Sequence, residues 1–243
     1  MNFVFDIDGT LCFDGKTIDH TIIDALTTLR EEGHHVIFAS ARPIRDLLPV
    51  LPATFHAHPL VGGNGCFTSQ NGFITTTTFS ADVLNALQNI IDTHQLTYLA
   101  DGKWDYAYTG DVAHLIYKNI DKRSAKNVAI SQLQHVCKLV LFQPSQQVLA
   151  ALAPLPVSMT TYKNEQAIDI SPLGINKVAG LKLLNIDNFI AFGNDSNDQC
   201  LFEHATYSVC VGDNDVQHYA SVKIKKEEVV ERILQLTSKP VTN

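Results

Sequence analysis

Residues 2–11 read NFVFDIDGTL. Phe3, Val4 and Phe5 run straight into two carboxylates, Asp6 and Asp8, and then into Gly9-Thr10. In an extended chain residues i and i+2 share a face, so the two carboxylates stand side by side. Like charges on one face repel, and aspartate is a poor strand residue. The arrangement is costly unless a cation or a shared proton lies between the two. Gly9 lets the backbone turn tightly at once. An apolar strand that ends this way marks a site, whereas a D-x-D in an ordinary surface turn is a pair of solvated carboxylates and nothing more.

From that strand outward the first quarter reads β-α-β. A helical pattern runs from about Asp19 to Glu32, with Ile22, Leu26 and Leu29 on one face and Gly33 as its stop. The apolar strand HVIFASARP (35–43) ends in Ser40-Ala41-Arg42. A second helix follows, then HPLVGGNGCF (58–67), a short strand running into a glycine-rich loop. The same β-α rhythm closes the chain: a helix from Asn176, the strand NFIAFG (188–193), a helix from Asn197, the strand YSVCVG (207–212) and the helix EEVVERILQL (227–236).

Between these flanks the texture differs. Ser80 caps an amphipathic helix carrying Val83, Leu84, Leu87, Ile90 and Ile91, and LTYLADGKWDYAYTG (96–110) reads as two strands around Asp101-Gly102. A helix over Val128 to Val136, the strand KLVLF (138–142), a helix begun by Pro144 and strands near 157–161 and 166–170 complete the segment. The expected fold class is therefore α/β: a doubly wound parallel-sheet core over residues 1–80 and 172–243, interrupted by an inserted α+β domain over 81–171. Open parallel sheets bind ligands at the carboxyl ends of their strands. Three flanking strands end in polar clusters: Asp6-x-Asp8, Ser40-x-Arg42 and GNDSND (193–198).

Composition sets the bounds. The chain has 243 residues, 45% of them hydrophobic and 18% charged, enough to bury one large core or two modest ones. A net charge of −7 argues against nucleic acid as the partner. No apolar run is long enough for a bilayer, and the N-terminus enters its strand with no basic leader, so neither a membrane partner nor a signal peptide is expected. Five cysteines without a CxxC pair read as reduced thiols in a cytoplasmic protein. Ten histidines show no ligand-like spacing, and His34-His35 reads as the entry to a strand.

The acidic loop GNDSND adds carboxylate and amide oxygens to Asp6 and Asp8, the ligands that hard cations such as magnesium prefer. Ser40 brings a hydroxyl beside backbone N–H groups, and Lys177 brings a cation near a helix start. Oxygen ligands for a metal together with hydroxyl, amide and lysine donors describe a phosphoryl site.

In this order, DIDGT, Ser40, Lys177 and GNDSND resemble the four motifs of the haloacid dehalogenase superfamily, and the insertion resembles the large α/β cap of its Cof-like sugar-phosphatase branch. The resemblance spans Phe3 to about Leu236. It implies a magnesium-dependent phosphomonoester hydrolase acting on a small phosphorylated metabolite. It makes Asp6 the nucleophile, forming an aspartyl-phosphate, and Asp8 the acid and base. Asp8 should then hold a proton, raised by a neighbouring anion, while Asp6 stays ionised. Ser40, Ala41, Arg42, Lys177 and Asn197 are implied as phosphate-binding. Asp6, Asp8 (through its main-chain carbonyl), Asn194 and Asp198 are implied as metal ligands.

The chain departs from the family at the last motif, which usually begins Gly-Asp and here begins Gly193-Asn194. Either Asn194 offers a neutral oxygen in place of the aspartate, or Asp195 swings in, or Asp198 serves directly or through water. SAR where many relatives carry TGR or SGR keeps the hydroxyl. Trp104, Tyr106 and Tyr108 alternate along one strand, the pattern of sheet packing or of a substrate face, with packing the commoner case. GGNG (62–65) is either a plain turn or an approach to substrate. Arg45, with Arg42, meets the phosphate or the cap, or bridges helix charges. Two rival functions stay open: a phosphomutase of the same fold, or a weakly active sugar-phosphate sensor. Retention of Asp6, Asp8 and Lys177 weighs against a sensor, which needs no nucleophile.

Overall fold

Strand β1 (Asn2–Phe5) is central because of its composition: Phe3, Val4 and Phe5 are wholly buried. A parallel strand that is apolar on both faces needs cover on both, and burying each such side chain contributes about 1.5–3 kcal/mol. The computed structural model describes residues 1–162 and 166–237. Strand β2 (His35–Ala39) lies on one side of β1 and β11 (Phe189–Gly193) on the other, both parallel to it, with Phe3 opposite Val36 and Ile190. Beyond β2 come β3 (Leu60–Gly62), β4 (Phe67–Gln70) and β5 (Phe73–Thr76). Beyond β11 come β12 (Tyr207–Val211) and β13 (Val222–Ile224). From β13 to β3 every pairing is parallel, and β4 turns antiparallel to β3.

Helices α1 (His20–Glu31), α2 (Ile44–Leu47), α6 (Lys177–Leu183), α7 (Gln199–His204) and α8 (Val229–Thr237) accompany this sheet. Helix α1 starts where Asp19 accepts the Thr21 N–H, buries Ile22, Leu26 and Leu29, and packs on α8. Below β1 and β11, Val4, Ala191, Val178, Leu181 and Leu201 form one cluster, so the sheet and α6 share a core.

The chain forms two compact units, Met1–Ile74 with Asn176–Asn243, and Thr75–Ile175. The second thus runs a few residues past 81–171 at both ends. It holds an antiparallel sheet in the order β7 (Tyr106–Tyr108), β6 (Tyr98–Asp101), β8 (Lys138–Phe142), β10 (Ala167–Pro172) and β9 (Val157–Tyr162). Helices α3 (Ala81–His94) and α5 (Gln146–Leu152) set Val83, Leu87, Ile91, Val148 and Leu152 against Ala100, Leu139, Leu141 and Ile168 on one face. A second cluster holds Leu99, Tyr106, Tyr108, Val140 and Phe142. Tyr106 and Tyr108 are therefore core, and Tyr108 stacks on Tyr117 with ring centroids 4.7 Å apart. Trp104 is partly buried and donates its indole N–H to Ser124 O at 2.9 Å. Between them, α4 (Leu115–Lys118) is a single short turn capped by His114.

The structure corrects two expectations of element type. The helix over Val128 to Val136 is one 3-10 turn, Ile130–Gln132. Val128 donates to Tyr106 O, which keeps the entry extended, and His135 at φ 56° turns the chain into β8. Ile130 and Leu133 still pack on the core, and that spacing imitates a helix face. Strands β4 and β5, absent from the sequence reading, flank Asn71-Gly72 at φ 52° and 79°. That Asn-Gly pair is the strongest short hairpin signal and was there to be read. The helix expected from Pro144 begins instead at Gln146, capped by Ser145.

Candidate active site

Asp6 follows β1, Ser40 follows β2 and Asn194 follows β11. These three strands are neighbours, and the chain order reverses about β1, so their carboxyl ends open on one crevice. The backbone ladder runs on into the site: Asp6 N–H donates to Phe192 O at 2.9 Å and Ser40 N–H to Val61 O at 2.8 Å. All the site residues expected from the sequence lie in the first unit.

Asp6 is 4% exposed. Its Oδ1 accepts from Lys177 Nζ at 2.6 Å and its Oδ2 from Thr10 Oγ1 at 3.1 Å. Lys177, the first residue of α6, is fully buried, and its Nζ also donates to Asp198 Oδ1 at 2.6 Å. Burial by itself would lower the lysine, but Asp198 and Asp6 raise it above its ordinary value, so it is a cation. Burial, followed by repulsion from Asp198, raises Asp6 to about 7 against the pull of Lys177. One lysine thus faces two carboxylates, and the cluster is short of positive charge.

Asp198, expected among the metal ligands, turns both oxygens to protein donors. Its Oδ2 accepts from the N–H groups of Asn194 at 2.9 Å and Asp195 at 3.1 Å while Oδ1 holds Lys177. Both oxygens are used to anchor the lysine and to shape the loop. Gly193 permits this, since a Cβ there would come within 2.6 Å of the Asp198 carboxyl carbon.

Asp8 is gripped by a cation, not by the anion that a proton-holding role calls for. Arg42 donates Nε to its Oδ2 at 2.7 Å and Nη2 to its Oδ1 at 2.6 Å, a bidentate fork. The same Nη2 donates to Gly15 O at 2.8 Å. Arg42, expected on the phosphate, is thus the partner of Asp8. Arg45, the other arginine of this segment, is buried and forks onto Asp46.

Asn194 reaches Asp6 from the neighbouring strand. One polar atom of its side-chain amide lies 3.2 Å from Asp6 Oδ2, 3.0 Å from the Asp8 main-chain oxygen and 3.1 Å from Thr10 Oγ1. Gly9, at φ 82°, makes room, because a Cβ there would run into this amide. Asp195 instead is exposed and accepts its neighbour's N–H, from Ser196, at 2.6 Å. With the amide oxygen inward, carboxylate, peptide and amide oxygens come together. Magnesium binds such oxygens octahedrally at about 2.0–2.1 Å, which spaces adjacent ligands about 2.9 Å apart. The observed separations are near that edge length, and the charge shortage at Asp6 favours a dication. The residues fit magnesium. Among the described residues no three His, Cys, Asp or Glu side chains cluster as a metal site, because two of the donors here are an amide and a peptide carbonyl.

On the other side of the crevice Ser40 is buried, and its Oγ accepts the Arg42 N–H at 3.1 Å, leaving its own proton to donate. Ala41 lies between them, half-buried. Asn197 donates Nδ2 to Asn64 Oδ1 at 3.0 Å, and Asn64 N–H donates to Ser40 O at 3.0 Å. The GGNG loop is therefore part of the site's wall. Thr10 is the residue that the sequence leaves without a role of its own, and Asn64 lies in the GGNG loop, for which a plain turn and an approach to substrate both stand open; the structure ties Asn64 to Asn197 and Ser40, and Thr10 to Asp6.

A profile of the haloacid dehalogenase-like hydrolases matches residues 3–229. The chain belongs to this family. A relative within it, the 5-amino-6-(5-phospho-D-ribitylamino)uracil phosphatase YitU of Bacillus subtilis, is 25% identical over 230 residues, covering 85% of this chain and 84% of that one. A haloacid dehalogenase-like hydrolase from Bacteroides thetaiotaomicron shares the fold with a TM-score of 0.79 at 19% identity, over 97% of this chain and 98% of its own. BT4131, described as a HAD subclass IIB sugar phosphatase, does so with 0.74 at 16%, over 96% and 97%. The protein is a haloacid dehalogenase-like enzyme, a phosphatase, with an α/β core of mixed sheet and an inserted cap. Among the described residues no helix is long and apolar enough to cross a membrane.

Proposed function

We propose that the protein is a magnesium-dependent phosphomonoester hydrolase that uses Asp6 as a covalent nucleophile on a small phosphorylated metabolite, a sugar or polyol phosphate. The observation that carries this reading is the buried Asp6 carboxylate, held by Lys177 and Thr10 beside the oxygen cluster of Asp8 and Asn194. The substrate class rests on the sugar phosphatase and the ribityl-phosphate phosphatase among the similar proteins. We take 1–80 with 172–243 as the catalytic domain and 81–171 as the cap that chooses the substrate. The five cysteines are free thiols, in keeping with a cytoplasmic protein.

Asp6 Oδ, Asp8 O and Asn194 Oδ1 would hold magnesium, which neutralises phosphoryl charge and keeps Asp6 ionised when bound. Asp6 attacks phosphorus and the bond to the leaving oxygen breaks, giving an aspartyl-phosphate. Lys177 faces the charge at Asp6, and the Ser40 hydroxyl and Ala41 N–H receive the phosphoryl oxygens, with Asn197 held in place by Asn64. Arg42 exchanges one anion for another: the arriving phosphoryl group competes for its fork and frees Asp8. Freed from the fork, Asp8 takes up a proton from solvent, gives it to the leaving oxygen, and then takes one from the water that splits the aspartyl-phosphate. Inorganic phosphate leaves and Asp6 is regenerated.

A screen of phosphorylated sugars and polyols with magnesium, coupled to rapid quenching with radiolabelled phosphate, tests the reading. Label retained on Asp6 is expected, and turnover without a labelled protein would remove the covalent route. Asp8→Asn should slow a sugar phosphate at least about tenfold more than an aryl phosphate, whose leaving group needs little protonation. Equal losses on the two substrates would remove the acid role from Asp8.

A further inference from the structure

The Asn194 amide is more than a weaker stand-in for aspartate. Its inward atom meets Asp6 Oδ2 at 3.2 Å, Asp8 O at 3.0 Å and Thr10 Oγ1 at 3.1 Å. Oxygen and nitrogen of an amide are alike in size, so the side chain fits either way round. With oxygen inward and no cation, lone pairs face lone pairs. The Thr10 hydroxyl has one proton, and it lies 3.1 Å from both Asp6 Oδ2 and Asn194 Oδ1, so it serves only one of them. With nitrogen inward the conflict disappears. The NH2 group has two protons for Asp6 Oδ2 and Asp8 O, and Thr10 keeps its own for Asp6.

We propose that Asn194 is a two-faced residue that determines metal affinity: its NH2 group closes the site by bonding Asp6 and the Asp8 carbonyl, and the amide must turn over to present oxygen to magnesium. The proposal deepens the magnesium-dependent reading above and rests on it. An aspartate at this place has no donor face, so it adds a charge beside Asp6 whenever the cation is away. Asparagine satisfies the same two oxygens without a metal, and magnesium has to displace those hydrogen bonds before it binds. The result is a site that is stable when empty and that loads only when magnesium is plentiful. Gly9 is part of the device, since it is the absence of a side chain there that leaves the amide space to turn.

The test uses the full chain, first in EDTA and then titrated with magnesium. Heteronuclear NMR of the Asn194 side-chain NH2 should show protons protected from solvent exchange in EDTA, and the protection should fall at least about tenfold as magnesium saturates. In calorimetry, Asn194→Asp should bind magnesium at least about tenfold more tightly than wild type, because a hard dication is held largely by ligand charge. The same variant should melt at least about 4 °C lower in EDTA and regain the loss with magnesium. Asp195→Asn should change neither reading. NH2 protons that exchange freely in EDTA, or that stay protected at saturating magnesium, would overturn the proposal. So would an Asn194→Asp protein whose melting in EDTA and magnesium affinity match wild type. If that variant does not fold, the wild-type NMR titration decides alone. Phosphomonoester turnover is measured separately: an active enzyme with a freely exchanging amide refutes the amide switch and leaves the phosphatase mechanism standing, whereas a protected, magnesium-released amide in a protein without turnover does the reverse.

Discussion

Asp6→Asn should abolish phosphatase turnover, by more than about a thousandfold, while the protein melts no lower than wild type. The substitution removes the attacking charge at nearly constant volume. Its structural consequence has the opposite sign from that of most buried substitutions. Lys177 faces Asp6 and Asp198 together, so neutralising one carboxylate leaves a balanced Lys177–Asp198 pair in place of a cluster with surplus negative charge. Lys177 Nζ still meets an oxygen if the new amide presents its Oδ1. Turnover of an aryl phosphate and a thermal melt, measured on the same preparation, check both halves. Residual activity within about tenfold of wild type would remove Asp6 from the nucleophile's role.

Lys177→Met should lose both activity and stability. The lysine is wholly buried and is the cation between Asp6 and Asp198. Taking one partner from a buried ion pair leaves an uncompensated charge, at a cost of about 3–5 kcal/mol. For a chain of this size that lowers the melting temperature by roughly 6–20 °C. Turnover should fall by more than about a thousandfold, since the cation that faces the Asp6 carboxylate through the transfer is gone. Lys177→Arg is not a rescue, because the planar guanidinium needs space that a side chain with no exposure lacks. The double variant Lys177→Met with Asp198→Asn separates the two effects. It should recover part of the lost stability, since Asp198 is neutralised while Asp6 still lacks its cation, and none of the lost turnover. A double variant that also regains activity would make Lys177 a purely structural residue.

Much of the site was legible because its signals are local. An apolar run meeting Asp-x-Asp-Gly-Thr, a strand ending in Ser-Ala-Arg and a loop of carboxylates and amides each announce themselves within about six residues. The helix expected over 128–136 shows the limit of such reading. Ile130 and Leu133 have helical spacing, but the backbone entering the segment is already bonded to Tyr106, and no local pattern reveals that partner. Asp198 and Arg42 show the same limit within the site. Their residue types suit a metal and a phosphate, yet the first is spent on Lys177 and two loop N–H groups, and the second forks onto Asp8.

The amino-acid sequence by itself determined which chemical groups stand at strand ends, because period, turn residues and motif order are properties of neighbours along the chain. It also determined the absence of an aspartate directly after Gly193. Only the tertiary structure decided who faces whom. β1 lies between β2 and β11, which sets residues 6, 40 and 194 on one crevice, and the pairing of Lys177 with Asp6 spans 171 positions. It also put Asn194, not Asp195, beside Asp6: Asp195 closes its own turn on Ser196, while the backbone after β11 aims the Asn194 amide past Gly9 at Asp6. The physical reason is one throughout. A charge or a hydrogen-bonding group is satisfied by whatever lies within about 3 Å of it, and for these residues that neighbour is set by strand order and backbone direction, not by distance along the chain.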